Sequence, residues 1–262
     1  LDYSNFGPGF NAVVAEQACE LIVRWVKENV PGENITELRT LLYECTNSAH
    51  IAGGTVYQQF SGSPSGTVIT TILNCIVNMI YFVKSFINLT AHLGPPGPLF
   101  RENVCLVTYG DDLIASVADP IKDVFNAVTI QDFLSVYKIT ATSTEKDLKV
   151  IPPFVSFYEA SFLQRQFRPH PTRKGLLVGP LKLDIIDEIP QWIWQTGRPN
   201  EATLENVDSA MMEYHAHGSS LFNEKKNFYN NLLVNRTNNR PTVLDWKSLD
   251  EMWFKGVMPP LY

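Results

Sequence analysis

Tyr109-Gly110-Asp111-Asp112 stands between two β-rich runs, residues 104–109 and 113–117, so a tight turn would bring two carboxylates together at a hairpin tip. At about 4 Å and an effective dielectric near 20, two such charges repel by about 4 kcal/mol, and the pair favours a cation. Mg²⁺ suits it, because that ion prefers carboxylate oxygen and keeps positions for water and phosphate. Gly-Asp turns also serve as plain hairpin connectors, so the motif needs partners. Asp2, in the β-prone stretch Leu1-Asp2-Tyr3-Ser4-Asn5-Phe6, is placed to meet the tip from a neighbouring strand; alone it reads as an exposed acid. Ser65-Gly66 with Thr70 and Asn74 is the third element. Gly66 permits close approach of backbone, and the spacing puts Thr70 and Asn74 on one helix face, offering hydroxyl, amide and free N–H groups to a polar ligand. The bland alternative is a serine N-cap followed by polar residues that the backbone satisfies.

The elements that must position these groups follow from periodicity. A strand over residues 1–6 runs into a Gly7-Pro8-Gly9 turn. Apolar residues at helical spacing mark a helix over 11–29, ended by Pro31-Gly32, and a second over 35–45. Residues 50–66 read as a loop with some strand, and 67–90 as a long helix. Asp119-Pro120 is a helix start, and Thr129 with Asp132 repeats the cue as a capping box. Residues 154–167 are aromatic and β-prone. From Pro180 onward the pattern is helical, with Trp192, Trp194, Met211, Met212, Phe222 and Phe228 as expected core. The sum is an α+β layer followed by a helical appendage.

Composition sets limits. With 262 residues, 45% hydrophobic and 18% charged, the chain can bury a sizeable core. The net charge of −6 argues against generic nucleic-acid binding, which usually shows a basic excess, so local motifs must decide. Cys19, Cys45, Cys75 and Cys105 form no CxxC pair and read as small buried hydrophobes suited to a reducing compartment. His215 and His217 fall on different faces of a helix and read as surface residues rather than a metal pair. Residues 69–87 come nearest to a membrane span but are broken by Thr70, Thr71, Asn74, Asn78 and Lys84, which suits a buried amphipathic helix. The sequence opens on Leu1 without an initiator Met or signal peptide and reads as a piece of something longer.

In order and spacing, these elements resemble the motifs of picornavirus-like RNA-dependent RNA polymerases, most of all those of the insect iflavirus and dicistrovirus type. Asp2-Tyr3-Ser4-Asn5-Phe6 resembles motif A; Ser65-Gly66 with Thr70 and Asn74, motif B; Tyr109-Gly110-Asp111-Asp112, motif C. Lys146 in Thr144-Glu145-Lys146-Asp147 resembles the motif D lysine, and Phe162-Leu163-Gln164-Arg165 resembles motif E. The resemblance implies a palm, an antiparallel sheet packed on helices, with part of the fingers over 1–175, and a mainly helical thumb over 176–262. The rest of the fingers would lie upstream.

For chemistry, the resemblance implies template-directed nucleotidyl transfer with two Mg²⁺ ions, Mn²⁺ serving as a substitute. Asp2 and Asp111 would hold the metals, with Asp112 adjacent and the Tyr3 carbonyl assisting. Lys146 would protonate the leaving pyrophosphate. Ser65, Gly66, Thr70 and Asn74 would bind the nucleotide, and Tyr109, Phe162, Leu163 and Arg165 the RNA and primer. Arg168, Arg173, Lys174, Lys225 and Lys226 are further candidates for nucleic-acid contact. Gly7 departs from the family, which carries a second Asp there to orient the ribose-reading Asn. Implied partners are RNA template and primer, nucleoside triphosphates and other viral replication proteins, on membrane-associated complexes in the host cytoplasm. The piece alone is expected to be inactive and to self-associate or exchange strands. Two other readings compete. A reverse transcriptase palm shares a Tyr-x-Asp-Asp turn, and a non-catalytic self-associating module would have no need for Asp2 to approach the turn.

Overall fold

The computed structural model describes residues 2–4, 6–9, 11–60, 62–64, 66–94, 97–142, 150–237 and 243–256, excepting the side chains of 7, 8 and 235–237. It divides into two units, Leu1–Val155 and Ser156–Tyr262, each with its own core.

In the first unit, β1 (Asp2–Tyr3) stops early and a short helix, α1 (Phe6–Gly9), replaces the expected continuation of the strand and turn. Pro8 accounts for this: its fixed φ and missing N–H suit the first turn of a helix. α2 (Ala12–Asn29) begins where the Asn11 side chain accepts the N–H of Val13, and α3 (Ile35–Thr46) where Asn34 accepts that of Glu37. β2 (Ala49–Ala52) and β3 (Thr55–Gln58) form a hairpin in the stretch expected to be loop with some strand.

α4 (Thr70–Thr90) starts three residues later than the sequence suggests, and its Leu73, Val77, Tyr81, Phe82 and Phe86 are buried in the core. Burying each such side chain contributes roughly 1.5–3 kcal/mol, so this helix is the unit's main support. By length and composition alone, Thr70–Leu93 is the one stretch among the described residues able to cross a membrane.

After α5 (Phe100–Asn103) come β4 (Val104–Tyr109) and β5 (Asp112–Val117), then α6 (Ala127–Ser135) and β6 (Ala141–Thr142). The capping box of α6 is formed by Asn126 and Thr129, not by Thr129 and Asp132. Asp119-Pro120 opens only a 3-10 turn (Asp119–Ile121), and burial of Phe125 fixes where the following helix can begin. β1 pairs antiparallel with β6 through Asp2↔Thr142, while β4 pairs with β5.

The second unit opens with β7 (Ser161–Phe162), β8 (Arg165–Gln166), β9 (Arg168–Pro169) and β10 (Leu177–Val178), in two small antiparallel ladders. Helices α7 (Leu183–Glu188), α8 (Pro199–Tyr214), α9 (Ser219–Thr237) and α10 (Trp246–Phe254) follow. Met211 and Phe222 are core as expected, but Trp192, Trp194 and Phe228 are exposed, at 75%, 93% and 56%. Tyr214, Tyr229 and Trp246 supply the aromatic core instead.

His215 is buried rather than on the surface. It stacks on Trp246 and faces Asp250, as does His170. Nδ1 of His170 accepts the N–H groups of Thr172 and Arg173, so its proton lies on Nε2, 2.7 Å from Asp250 Oδ1. Cys105 is exposed at an outward position of β4, and the other three cysteines are only partly buried.

Candidate active site

The β4–β5 ladder runs from Val104↔Val117 to Tyr109↔Asp112, which leaves Gly110 and Asp111 as a two-residue turn. Positive φ at Gly110 (67°) and not at Asp111 is the pattern of a type II′ turn, whose first central position belongs to glycine. Asp111 is thereby set at the tip and Asp112 at the first residue of β5.

α4 clamps this turn from below. Cys75 Sγ accepts the Gly110 N–H at 3.0 Å. Three residues on, Asn78 Nδ2 donates to the carbonyls of Gly110 (3.4 Å) and Asp111 (3.1 Å). Asn78 is wholly buried, and its Oδ1 accepts the Tyr3 hydroxyl at 3.0 Å. Burial holds the Tyr3 phenol far above its ordinary pKa, so it remains a donor. The Tyr3 N–H in turn donates to Asp2 Oδ1 at 2.8 Å. A chain of hydrogen bonds therefore connects the Asp2 carboxylate to the Gly110 turn, although β1 and β4–β5 share no ladder.

Burial, then the charges of Asp111 and Asp2, push the Asp112 carboxyl above the usual carboxylate range. Asp112 is thus within electrostatic reach of the other two acids expected at the site. Among the described residues, no three His, Cys, Asp or Glu side chains stand at metal-coordinating spacing. The donor chemistry does fit a hard divalent cation, since partly buried, mutually repelling carboxylates gain most from a positive charge placed between them.

Of the expected nucleotide-binding residues, Gly66 adopts a positive φ of 95° with open space where a Cβ would sit. The Thr70 hydroxyl donates to the Pro64 carbonyl at 3.0 Å and also bonds Thr67. Asn74 is 8% exposed, and its Oδ1 has no partner among the described residues. Buried orphans of this kind are uncommon and mark a place where a ligand could complete the bonding. Ser65 and Lys146 lie outside the described residues.

Tyr109 is exposed beside the turn. Phe162 and Arg165 are half-buried and flank a second tight turn in which Leu163 and Gln164 both take positive φ. The Arg165 guanidinium pairs with both oxygens of Glu213 (2.7 and 2.8 Å) and with the Gly179 carbonyl. Arg173 pairs with Asp250, Lys225 with Asp187, and Lys226 with the carbonyls of Val243 and Leu244. Of these partners only the Asp250 carboxylate is buried, and leaving it alone there would be costly. Arg168 bonds Gln166 at the surface.

Sequence reasoning passed over Cys75 and Asn78 as site residues. A signal existed: Thr70, Asn74 and Asn78 recur every four residues and draw a polar line along an otherwise apolar helix.

Comparison with known proteins identifies the family and the fold. The family model described as viral RNA-dependent RNA polymerase matches residues 1–233. The chain is 35% identical over 231 residues to the genome polyprotein of deformed wing virus, covering 86% of this chain and 8% of that one. It is 29% identical over 259 residues to the replicase polyprotein of cricket paralysis virus, covering 94% and 14%. Among solved structures, the Sicinivirus 3Dpol RNA dependent RNA polymerase shares the fold with a TM-score of 0.77 at 19% identity, over 98% of this chain and 51% of that one. The chain therefore spans a small part of the polyproteins it matches and about half of the solved polymerase.

Proposed function

This chain belongs to the family of viral RNA-dependent RNA polymerases, and we propose that it carries the catalytic palm and the thumb of a polymerase from a positive-strand picorna-like virus. The palm with part of the fingers is assigned to residues 1–175 and the thumb to 176–262. The observation that carries the reading is the Gly110 turn, which sets Asp111 at its tip and Asp112 beside it, where the charges of Asp111 and Asp2 both act on Asp112.

Asp2, Asp111, Asp112 and the Tyr3 carbonyl would hold Mg²⁺, with Mn²⁺ as a substitute. The bound metal would supply a lowered pKa for the attacking 3′-hydroxyl and charge stabilisation for the departing pyrophosphate. The reaction is in-line attack of the primer 3′-oxygen on the α-phosphorus of a nucleoside triphosphate, forming one P–O bond as the bond to pyrophosphate breaks. Positioning does most of the work, and the turn held by Cys75 and Asn78 is the rigid part of that positioning. Lys146, protonated at neutral pH with a reference pKa near 10.4, would give its proton to the pyrophosphate. Gly66 and Asn74, whose Oδ1 has no partner among the described residues, would receive the ribose and phosphates with Thr70 and Ser65; Gly7 stands where most relatives carry the carboxylate that orients this Asn. Tyr109, Phe162 and Leu163 would face RNA and primer. RNA, nucleotides and other viral replication proteins are the partners this reading requires, on membrane-associated complexes in the host cytoplasm.

The test is primer extension on a defined RNA template by the complete polymerase. Asp111→Asn is expected to lower the rate at least about a thousandfold, the scale lost when a transition-state electrostatic group is removed. A variant that extends primer at the parent rate would overturn the reading.

A further inference from the structure

Asn78 is wholly buried, accepts the Tyr3 hydroxyl, and donates to two successive carbonyls of the Gly110 turn. We propose that Asn78 is a positioning residue, acting with the Tyr3 hydroxyl to set the separation between the Asp2 strand and the Asp111–Asp112 turn. The inference rests on the polymerase reading of the site.

β1 hydrogen-bonds to β6 and β5 to β4, so among the described residues no ladder fixes the distance between the two carboxylate-bearing segments. Apolar packing is non-directional and sets no register between them. The Tyr3–Asn78 bond joins a side chain of β1 to the floor of the turn, and it is directional at both ends. Asn suits the position because only an amide offers an acceptor to Tyr3 and donors to the two carbonyls from one side chain. Asp at 78 would have no donor for the carbonyls, and Leu would offer neither function. Cys75 bonds the Gly110 N–H and the Thr108 carbonyl of β4, and among the described residues it has no hydrogen bond to β1.

The experiment uses the complete polymerase with Tyr3→Phe, Asn78→Asp and Asn78→Gln. Tyr3→Phe keeps the ring packed against Phe6 and Tyr81 and removes only the bond to Asn78, so it folds where Asn78 variants fail to. Mn²⁺ binding is read by electron paramagnetic resonance, beside kcat, the KM for nucleotide, and the thermal midpoint without metal. Tyr3→Phe is expected to weaken Mn²⁺ binding and lower kcat, each about three- to thirtyfold. KM should stay within about twofold and the midpoint within a few degrees. Asn78→Asp should lose more than Tyr3→Phe, and Asn78→Gln less than Asn78→Asp. Unchanged Mn²⁺ binding and kcat in Tyr3→Phe would overturn the proposal, as would a lowered midpoint with metal affinity intact. Because Mn²⁺ binding needs no RNA synthesis, an inactive parent enzyme would count against the polymerase reading and leave the positioning role to be decided by the resonance signal.

Discussion

At Asp112 the folded protein holds a carboxylate where it is least comfortable, partly buried and facing Asp111 and Asp2. Its pKa is raised in the fold, so the charged form opposes folding. That penalty is present in full above the folded pKa and is relieved as the pH falls through it toward the unfolded value. Asp112→Asn should therefore raise the thermal midpoint of the metal-free chain at about pH 7, with the gain fading by about pH 4. Divalent cation should raise the midpoint of the parent more than that of the variant. Equal midpoints at neutral pH would remove the case for a strained acidic site. At the same scale, the Asp111→Asn loss of primer extension separates a catalytic turn from a decorative one. Asp111 and Asp112 stood out in the sequence because carboxylates at a turn announce themselves, whereas Asp2, which alone reads as an exposed acid, stood out only through the order of the motifs. Asn78 was not, since an amide inside a long apolar helix looks like an imperfection until its partners, 75 and 32 residues away, are in view.

Among the elements, the β7–β8 turn and the Asp250 cluster carry the sharpest expectations. Leu163 and Gln164 both sit in the left-handed region without being glycine, a strain of about 1 kcal/mol or more each. Gln164→Gly should stabilise the chain by about 1 kcal/mol in denaturant unfolding, and a loss of stability would show that the side chain matters more than the backbone. Asp250 is a buried acceptor for Arg173 and His170 with His215 beside it. Burial works to raise its pKa, but Arg173 and His170 outweigh it and hold it below the usual range. Burial holds His215 below the usual histidine range despite the nearby Asp250 charge. Both shifts have one consequence: the stability they contribute is present near neutral pH. It is lost as acid first charges His215 and later discharges Asp250. The thermal midpoint should fall between about pH 7 and pH 5, and Asp250→Ala should cost about 3 kcal/mol at pH 7. A flat profile over that range would refute the buried cluster. None of this was legible beforehand, because His170, His215 and Asp250 are far apart in sequence and each looks like a surface residue alone.

For the whole chain, the pertinent quantity is apolar surface left open. Ile51, Val56, Phe60 and Val68 in the first unit and Trp192 and Trp194 in the second are exposed, more than an isolated soluble domain of this size usually tolerates. Since the chain spans about half of the solved polymerase of the same fold, its separate behaviour should betray the missing surface. The apparent mass in light scattering should rise with concentration, and the chain alone should extend no primer. A single monomer mass at all concentrations, or detectable extension, would contradict this.

Local rules were enough to place the β4–β5 hairpin, α2, α3 and most of α4, because turn chemistry, capping and periodicity are properties of neighbouring residues. They also supplied the order of the motifs, and with it the family. What they could not supply was anything that depends on two distant segments meeting. The short helix in place of a strand after Tyr3, the exposure of Trp192 and Trp194, the capture of Arg165 by Glu213 and the bridge through Asn78 were all decided in three dimensions. The reason is physical: a buried polar group takes whichever partner the packing brings within about 3 Å, and that partner's place in the sequence leaves no local trace.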